Sequence, residues 1–162
     1  MEQEKILTQK EVMEIGLYFD GDIVYYGGEY GQQVCRISED GIEEPVTGIV
    51  YELYKNLKLN YYCSYTHGIL NGQYVCFYEN GNVKSISYMY KGTKHGKSFQ
   101  SYDDGKKKSE SSYKYGFCES FMEWDDKGIL VKEQTEPTEF DKKTYFFCWT
   151  TNSSAILKIC WI

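Results

Sequence analysis

The chain has 162 residues, a formal net charge of −6, 17 tyrosines and only 2 prolines. That length suits one domain or one short repeat array, and a hydrophobic content of 41% is enough for a core. The acidity is concentrated: residues 1–47 hold 11 Asp and Glu against 3 Lys and Arg, whereas 48–162 hold 13 against 15. A continuous basic stripe to replace phosphate counterions is missing, which argues against direct nucleic-acid binding. No apolar run reaches the ~18 residues of a membrane span. The opening MEQEKILTQKEVMEIG has no signal-peptide pattern, so the expected compartment is the cytosol.

In chain order, 8-TQKEVMEIG-16 predicts a short helix capped by Thr8. Tyr18 and Gly21 repeat a Tyr-x-x-Gly spacing found later, so 16–26 is expected to be a degenerate first hairpin. Residues 1–47 together form an acidic capping segment, with acid pairs at Glu39-Asp40 and Glu43-Glu44.

Residues 48–133 carry a repeat of 24 residues. Gly48, Gly72 and Gly96 share that spacing, as do Gly68, Gly92 and Gly116, and Tyr54, Tyr78 and Tyr102. Gly81 and Gly105 follow their tyrosines by three positions, inside ENG and DDG. Tyr51, Val75 and Phe99 make an apolar column, and Tyr65, Met89 and Tyr113 another. The units are 48–71, 72–95, 96–117 and a degenerate 118–133, in which Phe121, Trp124 and the turn DDKG with one inserted residue remain. Each unit holds two strand-like runs, such as QYVCFY and VKSISYMY, joined by Asn-Gly or Asp-Gly. One hairpin cannot bury its apolar face alone, but stacked hairpins build a continuous sheet. The fold class is therefore all-β: an elongated, twisted antiparallel sheet of stacked hairpins. The Tyr, Val, Phe and Trp columns are expected on one face, and Ser85, Ser87, Lys107, Ser109 and Ser111 on a solvated one.

The tail 144-TYFFCWTTNSSAILKICWI-162 is two apolar runs around TNSS. It reads as a terminal hairpin, or as a strand and a short covering segment, closing a C-terminal cap over 134–162. Exposed, it would be a sticky sheet edge, so packing over the sheet is favoured over meeting a partner.

No chemistry-bearing constellation is found. Cys35, Cys63, Cys76, Cys118, Cys148 and Cys160 form no CxxC pair and are expected as reduced thiols. His67 and His95 sit beside turn glycines at different repeat offsets, as solvated turn histidines. Neither a metal site nor a cofactor is expected, and the chain is not expected to be an enzyme.

A unit of the form G-x-x-Y/F-x-x-Y-x-N/D-G with a later Y-x-x-G resembles the MORN-repeat variant. With GLYF at 16–19 and 45-PVTGIVYELYKN-56 ahead of the array, residues 8 to 133 resemble the YwqK-type antitoxin layout. The chain departs from it at Leu57, where the turn glycine should be, in the long acidic segment 20–44, and in the tail. The resemblance implies an antitoxin or immunity protein of a bacterial polymorphic toxin system, binding a cognate toxin domain in the cytosol. A basic nuclease is the expected partner, since an acidic surface steers cationic partners. By position and charge, the candidate toxin-binding residues are Glu39, Asp40, Glu43, Glu44, Glu79, Asp103, Asp104, Asp125 and Asp126. The alternative is a MORN-type scaffold on a membrane surface or an envelope or cytoskeletal protein, through lysine-rich turns such as KGTKHGK and GKKKS. Net negative charge weighs against a membrane.

Overall fold

The computed structural model describes residues 5–20, 24–27 and 33–150. Helix α1 (Gln9–Ile15) leads into β1 (Leu17–Tyr18), β2 (Val24–Gly27), β3 (Gln33–Ile37) and β4 (Glu43–Pro45). The repeat region supplies β5 (Gly48–Leu53), β6 (Leu59–Thr66), β7 (Ile69–Phe77), β8 (Val83–Tyr90), β9 (Thr93–Ser101), β10 (Lys107–Lys114), β11 (Phe117–Trp124) and β12 (Leu130–Gln134). Helix α2 (Glu139–Thr150) follows. β1 and β5 to β12 form one long sheet in chain order, and β2–β3–β4 form a separate small one. The stacked hairpins are as the repeat predicts.

Two kinds of turn alternate. At the end of the first hairpin strand, Gly81 N–H donates to the Tyr78 carbonyl at 2.8 Å and Tyr78 N–H to the Asn82 carbonyl at 2.8 Å. Gly81 lies at φ 95, Gly105 at 85 and Gly128 at 81. This is a turn closed by one left-handed residue, which is why glycine recurs there. Asn80 and Asp104 serve differently: their side chains accept the Asn82 and Lys106 N–H at 2.8 and 2.9 Å. The return turns have two left-handed residues, as in His67–Gly68, Lys91–Gly92 and Tyr115–Gly116, the geometry that matches the twist of the flanking strands.

The glycine column at 72 and 96 marks bulges. Between Cys63 and Tyr65 the partner moves from Tyr74 to Leu70, and between Ser87 and Met89 from Ser98 to Lys94. Between Ser112 and Tyr113 it moves only from Ser120 to Cys118. The last copy is thus one residue shorter in its bulge, and Asp125 takes the tyrosine position, bonded to Ile129 and Gly128 as Tyr78 is to Asn82 and Gly81. DDKG is a turn of ordinary length with no inserted residue.

Apolar packing lies on both faces. Val12 of α1 covers Tyr51, Leu59, Tyr62, Val75 and Phe77. The small sheet covers the opposite face, where Val24, Val34 and Val46 meet Val50, Cys63 and Tyr65. The expectation of one apolar face is corrected: Tyr51 and Val75 flank Tyr62 on one face, while Tyr65, three positions after Tyr62 on β6, lies on the other, because side chains alternate along a strand. The expected solvated face is corrected in part. Lys107 is exposed and Ser85 half-buried, but Ser87, Ser109 and Ser111, with neighbouring Ser98, are only 4–7% exposed, and the Ser87 and Ser98 hydroxyls share a 2.8 Å hydrogen bond.

The N-terminal helix is present, with Thr8 as cap and Glu11 reciprocating onto the Thr8 N–H. The expected hairpin over 16–26 is not. β1 runs parallel to β5, pairing Leu17 with Val50, and β2 pairs with β3. The small sheet hangs on a return turn: Val34 N–H donates to Gly68 O at 2.9 Å and Gly68 N–H to Val46 O at 2.7 Å. A Cβ on Gly68 would meet Val34 O at 2.9 Å.

The expected C-terminal hairpin is also corrected, since Glu139–Thr150 is helical. Asp141 N–H donates to Thr138 Oγ1 at 3.1 Å and Thr138 N–H to Asp141 Oδ2 at 3.2 Å. The reciprocal cap in 138-TEFD-141 starts a helix ahead of the apolar run. Residues 151–162, with Cys160, lie outside the described residues. No helix of the described residues is long and apolar enough to cross a membrane.

Candidate binding surface

Because the strands run up and down, the turns at 54–58, 78–82, 102–106 and 125–129 line one edge of the long sheet, and the return turns line the other. Neighbouring turns on the first edge are stitched together. Tyr54 Oη donates to the Phe77 carbonyl at 2.7 Å, Tyr78 Oη to Ser101 at 2.9 Å and Tyr102 Oη to Trp124 at 2.9 Å. Each tyrosine of the 24-residue column thus fastens the strand end one unit on. Asn80 and Asn82 both donate to the Asp103 carbonyl at 2.8 Å, and Lys106 Nζ reaches the Asp126 carbonyl at 3.2 Å. Desolvation raises the Tyr54 and Tyr102 pKa, so both remain donors.

This stitched rim brings Glu79, Asp103, Asp104, Asp125 and Asp126 together. Glu79, Asp103 and Asp126 are exposed, and among the described residues their carboxylates accept no hydrogen bond or ion pair. Two rim acids serve the turns. Asp104 takes the Lys106 N–H and ammonium, both at 2.9 Å, and the Lys106 hydrogen bond holds its pKa below the ordinary value. Asp125 Oδ1 accepts the Lys127 and Ile129 N–H at 3.0 and 2.8 Å.

The other predicted acids lie elsewhere. Glu39 and Asp40 are exposed in the β3–β4 turn of the small sheet, which is attached at the opposite edge. Glu43 accepts the Tyr25 hydroxyl at 2.9 Å, and Glu44 pairs with Arg36 at 3.6 Å. The nine acids are therefore two groups, one on the rim and one on the small sheet.

The rim's first turn is different. Leu57 occupies the position of Gly81, Gly105 and Gly128, with φ 63 and 71% exposure. Gln9 of α1 clamps it: Gln9 Nε2 donates to Leu57 O at 3.0 Å and Gln9 Oε1 accepts from Leu59 N at 3.1 Å. The Asn56, Asn80 and Asp104 column shares the 24-residue spacing of the glycines.

At the opposite edge His95 is not a freely solvated turn residue. Its ring packs 4.8 Å from Tyr115 and 5.7 Å from Tyr90, and Nδ1 accepts the Tyr115 N–H at 3.3 Å. Lys91 Nζ lies 5.4 Å from the Tyr90 ring centre. Burial pushes the Cys63 thiol up to about 12, which leaves it a poor nucleophile. Among the described residues no cluster of His, Cys, Asp or Glu could hold a metal. Comparison with protein-family models, curated proteins and solved structures gave no match.

Proposed function

We propose that this protein is a binder and not a catalyst: an immunity-type protein that neutralises a cationic toxin domain in the cytosol, as its resemblance to MORN-repeat antitoxins implies. The observation that carries the reading is the rim. Glu79, Asp103 and Asp126 present unengaged carboxylates on successive turns that tyrosine hydroxyls hold in fixed relation. Pre-organised carboxylates, even with Lys106 and Lys127 on the same turns, raise the encounter rate with a basic partner and lose little entropy on binding. The test is to co-express the C-terminal domain encoded by the neighbouring upstream gene with and without this chain. The domain should be toxic alone and should co-purify harmlessly with it. Replacing Glu79, Asp103 and Asp126 by lysine should slow association by about tenfold or more at low salt. An unchanged association rate removes the rim from the reading.

A second reading, a scaffold on an anionic membrane surface, is favoured by the opposite edge. Lys91, Lys94 and Lys114 lie there beside exposed Tyr90 and Tyr115, a combination suited to lipid headgroups. Sedimentation with phosphatidylserine vesicles separates the readings: a binder of soluble toxin stays in the supernatant.

A further inference from the structure

Leu57 breaks the pattern of its own repeat without a visible structural return. In all four rim turns the same pair of backbone hydrogen bonds forms: Leu57 N–H to Tyr54 O at 2.9 Å matches Gly81 to Tyr78 at 2.8 Å, Gly105 to Tyr102 at 3.0 Å and Gly128 to Asp125 at 3.0 Å. Three turns give the left-handed position to glycine; the first gives it to leucine at φ 63. That region is unfavourable for a bulky side chain. Burial does not offset the strain, because the side chain is 71% exposed. The turn is nonetheless fixed, since Gln9 bonds the backbone on both sides of Lys58. The same Gln9 Nε2 lies 3.8 Å from Met13 Sδ, so one amide links the Leu57 carbonyl to a second exposed apolar residue, Met13. Backbone strain that the surrounding structure holds in place is concentrated at functional sites such as ligand clamps.

We infer that Leu57, supported by Met13, is the apolar anchor of the rim: it enters a pocket on the same protein partner that meets Glu79 and Asp103. This rests on the binding reading above and adds to it the shape and sign of the partner surface. Opposite Glu79 and Asp103 that surface is cationic. Opposite Leu57 it has an apolar hole whose border is neutral or acidic, because Lys55 and Lys58 flank the leucine and Lys10 lies on α1.

The distinguishing test is that stability and binding move in opposite directions. Leu57→Gly and Leu57→Asn both suit a left-handed position, so neither should unfold the turn. Their melting temperatures should equal that of the wild type or exceed it by up to about 4 °C. Their dissociation constants for the co-expressed neighbouring toxin domain should rise by about tenfold or more. Wild-type affinity in both variants, with the lysine substitutions at Glu79, Asp103 and Asp126 still weakening the complex, overturns the anchor and leaves the binding reading standing. Failure of the wild type to bind the domain overturns both. A large fall in melting temperature would make Leu57 a structural residue. Loss of a wild-type dimer in Leu57→Gly would assign it to self-association. Either result overturns the anchor.

Discussion

The units around β5–β7 and those around β8–β12 descend from one 24-residue pattern but are held together by different forces. Around β5–β7 the sheet is a filling: α1 lies on one face and the small sheet on the other, and both apolar clusters of the described residues are centred there. Beyond β8 neither cluster continues. The row that begins Tyr51–Tyr62–Val75 goes on as Ile86, Phe99, Glu110 and Met122, so a charge enters where the first half has an aromatic ring. Glu110 is accommodated by Lys97 at 3.4 Å and Lys107 at 2.6 Å, and the Lys107 hydrogen bond lowers its pKa. Lysines also lie over rings, with Lys107 4.3 Å from the Trp124 centre and Lys108 5.4 Å from Tyr102. The repeat thus encodes hairpins and their stitching. What closes a core over its first units is supplied by the parts of the chain that do not repeat: Val12 on one face, and Val24, Val34 and Val46 on the other.

The comparison is broken most severely by removing the centre of the first half. Tyr62 is 0% exposed, donates to Gln73 at 2.9 Å and accepts from the Leu7 N–H at 3.1 Å. Tyr62→Ala should lower the unfolding free energy by about 3–5 kcal/mol, the range for emptying a buried aromatic site. Met122→Ala, in the same row on the open half, should lower it by about 1 kcal/mol, since little cavity forms at a half-exposed site. Urea titrations of the two variants measure both. Equal effects would show that the open half has a core of its own.

The glycine column gives a second contrast, between two positions of the same repeat offset. Gly96 has φ 89 and open space where a Cβ would go, whereas Gly72 has φ 116 and a Cβ would lie 2.9 Å from Ser64 Cβ. Gly96→Ala should cost about 1–2 kcal/mol, the left-handed penalty alone. Gly72→Ala should cost at least about 1 kcal/mol more, because β6 must move within the packed half. A smaller effect at Gly72 than at Gly96 would mean that the sandwiched half yields more readily than the open one.

Period and turn residues made the hairpin array legible, because each glycine answers a backbone demand that sequence states directly. What depended on contact between distant segments was not. Val34, Val46 and Val24 read only as scattered valines, and their sheet exists because its backbone bonds to the Gly68 turn. Polarity points Ser87, Ser109 and Ser111 to solvent, yet all three are buried, because a short polar side chain carries no sequence signal that separates a covered face from an open one. The C-terminal apolar run looked strand-like, while the local signal that decided the matter, Thr138 with Asp141, stood several residues before it. On the rim, Glu79 and Asp103 could be found from turn chemistry. That Asp104 and Asp125 bond their own turns required geometry. Leu57 was visible as a departure from the pattern, but its φ and its clamp by Gln9 were not.

The tyrosine staples sharpen the comparison more gently. Each hydroxyl bond to the next unit should contribute about 0.5–1.5 kcal/mol, so Tyr54→Phe, Tyr78→Phe and Tyr102→Phe should lower global stability similarly. Their local effects should differ. In the open half, Tyr102→Phe leaves less to hold β11 and β12, and amide exchange there should quicken more than exchange of β5 in Tyr54→Phe. Uniform quickening along the array would indicate that the units open together.

The smallest effect concerns the lid on the packed half. Glu11 closes the α1 cap, accepting the Thr8 N–H at 2.8 Å and the Lys5 ammonium at 2.5 Å. The Lys5 hydrogen bond is the main reason its pKa falls from 4.5 to about 2. A carboxylate whose folded pKa is depressed stabilises fully above its unfolded value and loses that stabilisation as pH falls toward the folded one. The cap should therefore be intact at pH 6 and weaken between pH 4.5 and about 2. Glu11 is half-buried, but its ion-pair partner Lys5 is 72% exposed and solvent screens the pair, so the effect is local: exchange of the Val12 amide, which bonds to the Thr8 carbonyl at 2.9 Å, should lose protection over that window while β9 and β10 amides keep theirs. Glu11→Gln should remove the pH dependence at Val12. Were the β9 and β10 amides to lose protection in the same window, the helix would be supporting the open half as well, and the division between the two halves would not hold.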